Sequence, residues 1–364
     1  MKISAGNNRG IALIITLTAI TIIIAVALEL NRQMRKSVMS AATTKNQMSL
    51  SHMVHSGVSV GMAALSMDKT DSANVSVQDD WADSEMIEHY LAQLPLENGN
   101  IRLEITDERS RLQLNALVSF PEGRDFNPHQ LRLWQRFFTL MFAGAQEESA
   151  GFNFDTGNIT PEMIINPVKD WLDSGDDDAI TGLTGAEEDH YRMLDQPYSC
   201  RNGPFKHALE LIRVKNITRE MFYSFDIGNY VTVYGMTPSG EDGHRFTYDG
   251  KININTAEMP VVAALLPEGY EFLAEEIVAY REESADDEYI HDLTDPNWYK
   301  SVPGAEEIEI QPDLITTQSD HFRIVCSAEQ DGIIVQATVI VLREKDEDSG
   351  RWHCRPLSWS YQDI

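Results

Sequence analysis

The sequence predicts an α+β fold in which a long N-terminal helix packs on an antiparallel β-sheet, with a large helical region inserted into that sheet. An uncharged apolar run begins at Ile11 and passes into a stretch with helical periodicity. Residues 321–361 form three β-rich runs separated by turn-like segments, and helical patterns dominate the region before them. A helix and a sheet, each with one apolar face, bury those faces by packing together.

Composition limits the class of protein. The chain has 364 residues, 42% of them hydrophobic, which excludes an intrinsically disordered chain. Its formal net charge is −28, although residues 1–36 hold five basic residues and one acidic residue. The acidic body would repel nucleic-acid phosphates and attract divalent cations. We therefore expect no nucleic-acid partner.

The N-terminal segment predicts a membrane anchor. Residues Ile11–Leu28 lack charge, and as a helix they span about 27 Å, close to the hydrocarbon thickness of a bilayer. A cleaved secretory signal is the rival interpretation, but no compact cleavage site follows the run. Lys2 and Arg9 precede it, so the positive-inside rule leaves residues 1–10 in the cytoplasm. We expect a single-pass membrane protein with its acidic body outside the cytoplasm, which in a Gram-negative cell means an inner-membrane protein with a periplasmic body.

The amphipathic pattern continues beyond the apolar run to about residue 65 and predicts one long helix. Residues 66–82 are small and polar, as in a loop. Further helices are predicted at 84–94, 130–143, 161–172, 209–214 and 219–225. Strands are predicted at 101–105, 111–114, 321–327, 333–343 and 351–361. The first two of these would begin the sheet that the C-terminal strands complete.

A short internal repeat lies in the inserted region. Arg111–Asn115 and Lys251–Asn255 share the order basic, apolar, polar, apolar, Asn, although coincidence would also explain so short a match. The second copy leads into predicted helices at 261–266 and 273–281 and resembles a helix-hairpin-helix, or SAM-like, unit. Its hairpin is flanked by glutamates, the wrong charge for phosphate. We therefore interpret the unit as scaffold.

Residues 170–191 form an acidic loop with eight Asp or Glu residues and no Lys or Arg. Crowded carboxylates favour a bound cation, and Ca²⁺ takes six to eight hard oxygen ligands. The spacing is not that of an EF-hand, because Ile180 and Thr181 occupy two of its required positions. A solvated acidic loop is the simpler alternative.

The N terminus resembles that of type IV pilins and pseudopilins, in which a basic leader ending in glycine precedes the apolar helix. The resemblance implies cleavage by a prepilin peptidase after Gly10, so that the processed chain begins at Ile11. Pilins carry Glu at the fifth processed position, where this chain has Ile15. The K-type minor pseudopilin of type II secretion shares that departure. A subunit at the filament tip has no neighbour above it to neutralise such a carboxylate in lipid.

The acidic loop carries a second part of the resemblance. Asp170-Trp171-Leu172-Asp173, Gly185-Ala186-Glu187-Glu188 with Tyr191, Pro197-Tyr198 and Asn202 match a pattern of K-type pseudopilins, whose helical insert binds calcium. The resemblance implies structural Ca²⁺ with these ligands: Asp173, Asp176, Asp177, Glu187, Glu188 and Asn202.

The resemblance also implies a pilin-like organisation with an insert of two SAM-like units. Its parts are a leader (1–10), a transmembrane segment (11–30), a periplasmic helix with the first strands (31–118), a first unit with the acidic loop (119–248), a second unit (249–316) and C-terminal strands (317–364). The expected function is a non-enzymatic minor pseudopilin that caps or initiates the pseudopilus. The expected partners are I-type and J-type minor pseudopilins, the major pseudopilin and the prepilin peptidase, and the family implies methylation.

Two other functions remain open at this point. One is a membrane-anchored helix-hairpin-helix receptor for DNA uptake, which the negative charge disfavours. The other is a metal-dependent hydrolase that uses the acidic cluster, although no catalytic motif is recognisable. Three cysteines offer no metal pair, and Cys326 and Cys354 fall on the first and third strands of a predicted meander, too far apart for a disulfide.

Overall fold

The computed structural model describes residues 9–68, 74–96, 99–147, 159–174, 180–239, 245–286 and 288–363. Its helices are α1 (Arg9–Asp68), α2 (Ser84–Leu91), α3 (Pro128–Glu147), α4 (Pro161–Leu172), α5 (Glu188–Arg192), α6 (Arg219–Ser224), α7 (Ile227–Tyr230), α8 (Met259–Leu265) and α9 (Leu273–Glu282). Its strands are β1 (Asn100–Asp107), β2 (Leu112–Gln113), β3 (Val231–Thr232), β4 (Met236–Ser239), β5 (Arg245–Tyr248), β6 (Ile252–Asn253), β7 (Ser284–Ala285), β8 (Glu288–Tyr289), β9 (Ile315–Thr316), β10 (His321–Gln330), β11 (Ile333–Lys345) and β12 (Trp352–Asp363).

Helix α1 confirms the predicted long helix and divides into two halves. Residues 10–45 are exposed throughout, and the large apolar side chains between Ile11 and Met39 are each more than half exposed. From Leu50 onward one face is buried, with Val54, Val58 and Leu65 on the sheet. Arg343 of β11 caps the C-terminal end of α1, because its guanidinium donates to the Leu65 carbonyl at 3.0 Å. A cation at that end also offsets the negative end of the helix dipole.

The main sheet is antiparallel, and in the described residues its strand order is β1-β10-β11-β12. Strands β10 and β11 are joined by Asp331 and Gly332, both at positive φ, the two-residue turn that suits the twist of a hairpin. The side chains that face α1, including Phe322, Ile324, Val339 and Val341, form a core with the buried half of that helix. This is the predicted packing of a long helix on a C-terminal meander.

Cys200, Cys326 and Cys354 are all free. Cys326 lies on β10 and Cys354 on β12, with β11 between them. Burial raises the pKa of the Cys326 thiol to about 12, so this side chain behaves as an apolar core residue.

The helical insert enters the sheet between β1 and β10. The sequence predicts that the strand at 111–114 belongs to the main sheet, and this is wrong. Leu112 and Gln113 instead pair in parallel with Val231 and Thr232, inside the insert. A 3₁₀ turn at Glu108–Ser110 directs the chain away from the sheet directly after β1. The alternating residues that follow therefore pair with a strand of the insert, β3, and not with the main sheet.

The repeat in the sequence corresponds to a repeat in the structure. Strand β6 also pairs in parallel with a later strand, β9, as β2 does with β3. Asn115 and Asn255 end the two copies, and both are fully buried. Asn115 joins its copy to the Phe205 backbone through two hydrogen bonds, of 2.7 and 3.1 Å. Asn255 joins the second copy to the carbonyls of Val75 and Leu293. The two copies therefore have equivalent structures, each a short parallel strand that leads to a buried asparagine.

The two halves of the insert share one hydrophobic core. It includes buried residues of α3 and α4 from the first half, such as Trp134 and Trp171, and of α8 and α9 from the second, such as Val262 and Ile277. Arg136 of α3 donates to the Ala264 carbonyl of α8, at 3.2 Å. The segment predicted as a helix at 209–214 is a 3₁₀ helix at Ala208–Arg213.

Two consecutive buried acids at the end of β1 attach the insert to the sheet. Asp107 accepts hydrogen bonds from the Asn253 amide and the Thr256 hydroxyl, both at 2.7 Å, in the second half of the insert. Glu108 binds Arg111 and the Thr232 hydroxyl in the first half. It also accepts from Nε of Arg323 on β10, at 2.6 Å. Each acid thus connects the sheet to one half of the insert.

The environment shifts the pKa values of the two acids in opposite directions. Burial raises the pKa of Asp107 above its usual range, and the hydrogen bonds it accepts offset this only in part. Burial acts in the same direction on Glu108, but the guanidinium groups of Arg111 and Arg323 outweigh it and lower the pKa of that carboxyl. The two arginines therefore favour the charged form of Glu108, whereas burial disfavours the charged form of Asp107.

Glu108→Gln should lower the free energy of unfolding by about 3–5 kcal/mol, because two arginines lose their buried counter-charge. Chemical denaturation of the two proteins at a series of pH values measures the loss. A lowered native pKa stabilises the fold above the pKa of the unfolded chain, so the loss should be full near neutral pH. It should shrink as pH falls through the native pKa of Glu108. Glu104→Gln, on the exposed face of the same strand, is the control and should change stability by less than about 0.5 kcal/mol. Equal effects of the two variants would contradict the assignment.

Candidate metal centre and N-terminal stem

Three carboxylates converge in the acidic region of the insert. Asp170 lies in the last turn of α4, Asp173 directly follows that helix, and Glu187 directly precedes α5. Each has an oxygen within 4.8 Å of an oxygen on the other two. All three residues are buried, with exposed fractions of 0%, 6% and 7%. This arrangement is a candidate metal centre.

Asp170 organises the loop that brings Glu187 to the centre. Its carboxylate accepts hydrogen bonds from the backbone N–H of Thr181 at 3.1 Å and of Ala186 at 2.8 Å. Gly185 lets the loop pass this closely, since a Cβ there would lie 2.2 Å from Asp170 Oδ2. Burial raises the pKa of Asp170, and the hydrogen bonds it accepts act against that rise.

The chemistry of this donor set fits a hard divalent cation. Carboxylate oxygens are the ligands that Ca²⁺ prefers, and three of them meet here. Lys169 contacts Asp173 and supplies one positive charge. Carboxylates buried close together are costly unless cations or hydrogen bonds compensate them. A divalent cation is one group that this donor set could hold.

The structure describes four of the six predicted ligands. Asp173 and Glu187 belong to the centre, whereas Asp176 and Asp177 lie outside the described residues. The Glu188 carboxylate accepts from the backbone N–H of Cys200 and from Nε of Arg192, both at 2.6 Å. Asn202 is exposed and at positive φ.

The sequence prediction omitted Asp170. A signal for it was present, because residues three apart on a helix lie on the same face, which places Asp170 beside Asp173.

The aromatic residues around the centre hold this helix end in place. Trp171 packs edge-on against Tyr191 of α5, with ring centroids 5.1 Å apart.

The N-terminal stem contains the remaining predicted residues. Gly10, Ile11 and Ile15 all lie on the exposed part of α1, and Ile15 is 61% exposed. α1 is long and apolar enough to cross a membrane, with a mean hydropathy of 2.9 over its most apolar window. Its apolar surface is unpaired within the described residues, as expected of a membrane anchor.

The helix-hairpin-helix motif is not arranged to bind a phosphate. At the hairpin between α8 and α9, the Gly269 N–H donates to the protein's own Glu271 carboxylate at 2.8 Å. Glu271 also pairs with Arg136 of α3 at 2.7 Å. The hairpin amide is therefore already hydrogen-bonded to a carboxylate of the chain itself. The DNA-receptor alternative is not supported.

Comparisons with known proteins show which sequences and structures this chain is similar to. The family described as "Type II secretion system (T2SS), protein K" matches residues 110–236, which include the acid centre. The type II secretion system protein K of Pseudomonas aeruginosa is 25% identical over 169 residues, which cover 46% of this chain and 41% of the relative. The chain thus spans less than half the length of that relative.

A solved structure extends the likeness to nearly the whole fold. A chain in the crystal structure of the GspK–GspI–GspJ complex from the enterotoxigenic Escherichia coli type 2 secretion system aligns with a TM-score of 0.60. The alignment covers 88% of this chain and 99% of the other, at 16% identity. The long helix, the antiparallel sheet and the inserted helical region are thus a shared fold. The family resemblance is therefore confirmed over residues 110–236, which match the type II secretion protein K family, and most of the chain shares its fold with the solved chain.

Proposed function

We propose that this chain is a minor pseudopilin that caps or initiates the type II secretion pseudopilus and so supports protein export across the outer membrane. The observation that carries the proposal is the protein K match at residues 110–236, together with the protein K-like fold of most of the chain. The exposed apolar half of α1 supports an anchor in the inner membrane, with the body in the periplasm.

The proposed role is structural rather than enzymatic. The three converging carboxylates are buried by the loop that Asp170 organises, which suits a bound cation better than access by a substrate. Calcium at this centre would be held by Asp170, Asp173 and Glu187. It would supply the positive charge that lets α4, the loop and the start of α5 pack together.

The proposed partners are the I-type and J-type minor pseudopilins, the major pseudopilin and the prepilin peptidase. The solved relative is part of a complex named for its GspK, GspI and GspJ subunits, which supports the first two. The peptidase would cut between Gly10 and Ile11. A processed stem with Ile15 at its fifth position lacks the carboxylate that other pilins carry there. Such a stem suits a subunit at the filament tip, beneath which the other subunits are added.

The size of the insert supports a position at the tip. Residues 108–320 separate β1 from β10, and their own core excludes the sheet and α1. A shaft subunit must be stacked on both sides, and an insert of more than two hundred residues leaves little room for a second subunit above it.

The first test is calcium dependence of folding. Chelation with EDTA should lower the melting temperature of the purified full-length chain, because a ligand that binds only the native state stabilises it. The stabilisation is about 2.7 kcal/mol when free calcium is about 100 times its Kd. Glu187→Gln should abolish the calcium-dependent shift. Asp189→Asn, two residues along at an exposed position of α5, should retain it. A melting curve unchanged by EDTA would refute the calcium proposal.

The second test alters the loop without removing a carboxylate. Gly185→Ala places a methyl group where Asp170 Oδ2 and the Thr181 N–H lie, at 2.2 and 2.6 Å. We expect a loss of about 1–3 kcal/mol in stability from this overpacking, and weaker calcium binding by titration calorimetry. Gly203→Ala is the matched control, since its Cβ would meet nothing closer than the Arg201 carbonyl at 3.9 Å. Identical behaviour of the two variants would contradict the role given to Gly185.

The third test concerns position in the filament. Gold-labelled copies of the chain should appear only at one end of isolated pseudopili. Ile15→Glu should lower the fraction of filaments that carry a label, because a carboxylate at the tip has no neighbour above it to neutralise it in lipid. Ile15→Leu keeps the position apolar and should leave that fraction unchanged. Labels spread evenly along wild-type filaments would refute the tip assignment.

A further inference from the structure

Charge is distributed very unevenly between the stem and the body. The chain carries a net charge of −28, yet between residues 30 and 67 it has four basic residues and no acidic residue. Three of the four, Arg32, Arg35 and Lys36, are crowded into little more than one helical turn. All three are exposed on α1. In so acidic a protein a purely basic segment needs its own explanation.

The position of these residues relative to the apolar span is informative. Along a helix Arg32 lies about 6 Å beyond Leu28, the last residue of the uncharged run, and Lys36 about 12 Å beyond it. The polar headgroup layer is about 5–7 Å thick on each side of the hydrocarbon. Arg32 therefore lies within that layer, and Arg35 and Lys36 lie roughly one turn outside it.

The direction of the side chains brings all three toward the lipid. Side chains on an α-helix lean toward its N terminus, which for α1 is the side of the membrane. Arg35 demonstrates this direction, because its Nε donates to the Asn31 side-chain oxygen one turn nearer the apolar run, at 3.0 Å. Long basic side chains with this geometry extend their cationic ends to the membrane interface.

Membrane topology does not account for these cations. Basic residues bias the orientation of an anchor when they remain in the cytoplasm, whereas these three follow the span on the side of the body. The nearest acid, Glu29, leaves the group with an excess of positive charge.

We propose that Arg32, Arg35 and Lys36 form a basic collar that binds the phosphate groups of anionic phospholipids in the outer leaflet of the inner membrane. The collar fixes the depth of the stem and holds the acidic body near a surface of the same sign, which would otherwise repel it. Juxtamembrane lysine and arginine residues are attracted to anionic lipid in this way. The inference rests on the membrane anchoring proposed above.

The test measures lipid selectivity of the full-length chain in bilayers. The chain is reconstituted into phosphatidylcholine vesicles, and spin-labelled phosphatidylglycerol and phosphatidylcholine report the lipids in contact with the protein by electron spin resonance. We expect a preference of about fivefold for phosphatidylglycerol at low salt, falling as salt rises. The triple variant Arg32→Gln, Arg35→Gln, Lys36→Gln should lose it.

The control removes the same amount of charge elsewhere. Arg132→Gln, Lys206→Gln and Arg219→Gln alter three exposed residues of the insert and should leave the preference intact. An unchanged preference in the collar variant, or an equal loss in both variants, would overturn the proposal. So would a collar variant that keeps its lipid preference but loses a co-reconstituted acidic pseudopilin. Failure of the wild-type chain to float with the vesicles would instead refute the membrane anchor itself.

Discussion

The buried carboxylates of Asp107 and Glu108 are the contact on which the rest of the architecture depends. They lie at the end of β1 and the start of the 3₁₀ turn that follows it, where the chain leaves the sheet for more than two hundred residues and must return in register at β10. Asp107 holds the second half of the insert and Glu108 the first. Arg323 connects Glu108 directly to β10. The two hydrophobic cores thus meet through a polar junction with specific geometry, which apolar packing alone would not provide.

The junction separates regions with different electrostatic roles. The stem is apolar and then basic, which suits a bilayer and its anionic headgroups. The insert is acidic, and three of its carboxylates converge at a candidate metal centre. Calcium there would stabilise the loop that Asp170 organises without taking part in chemistry. The exposed apolar part of α1 precedes the part that packs on the sheet, so the two features lie on different parts of the chain.

Agreement between sequence and structure is closest where periodicity is strong. Helix α4 spans the predicted residues 161–172, and the C-terminal strands follow the predicted order. The strand at 111–114 was assigned to the wrong sheet, because two alternating apolar residues fit any partner. Only the turn at Glu108–Ser110 diverts it. The acidic loop pointed to a cation, yet Asp170 was missed because it also belongs to a regular helix.

The sequence by itself determined the apolar stem, the α+β class, the longer helices such as α1 and α4, and the acidic composition of the candidate site. These follow from local patterns, since each depends on residues close together along the chain. The tertiary structure decided which carboxylates converge, which strands pair across the insert, and how two adjacent acids come to hold its two halves. Those outcomes depend on contacts between residues far apart in the chain. Local hydrophobic periodicity does not encode their partners.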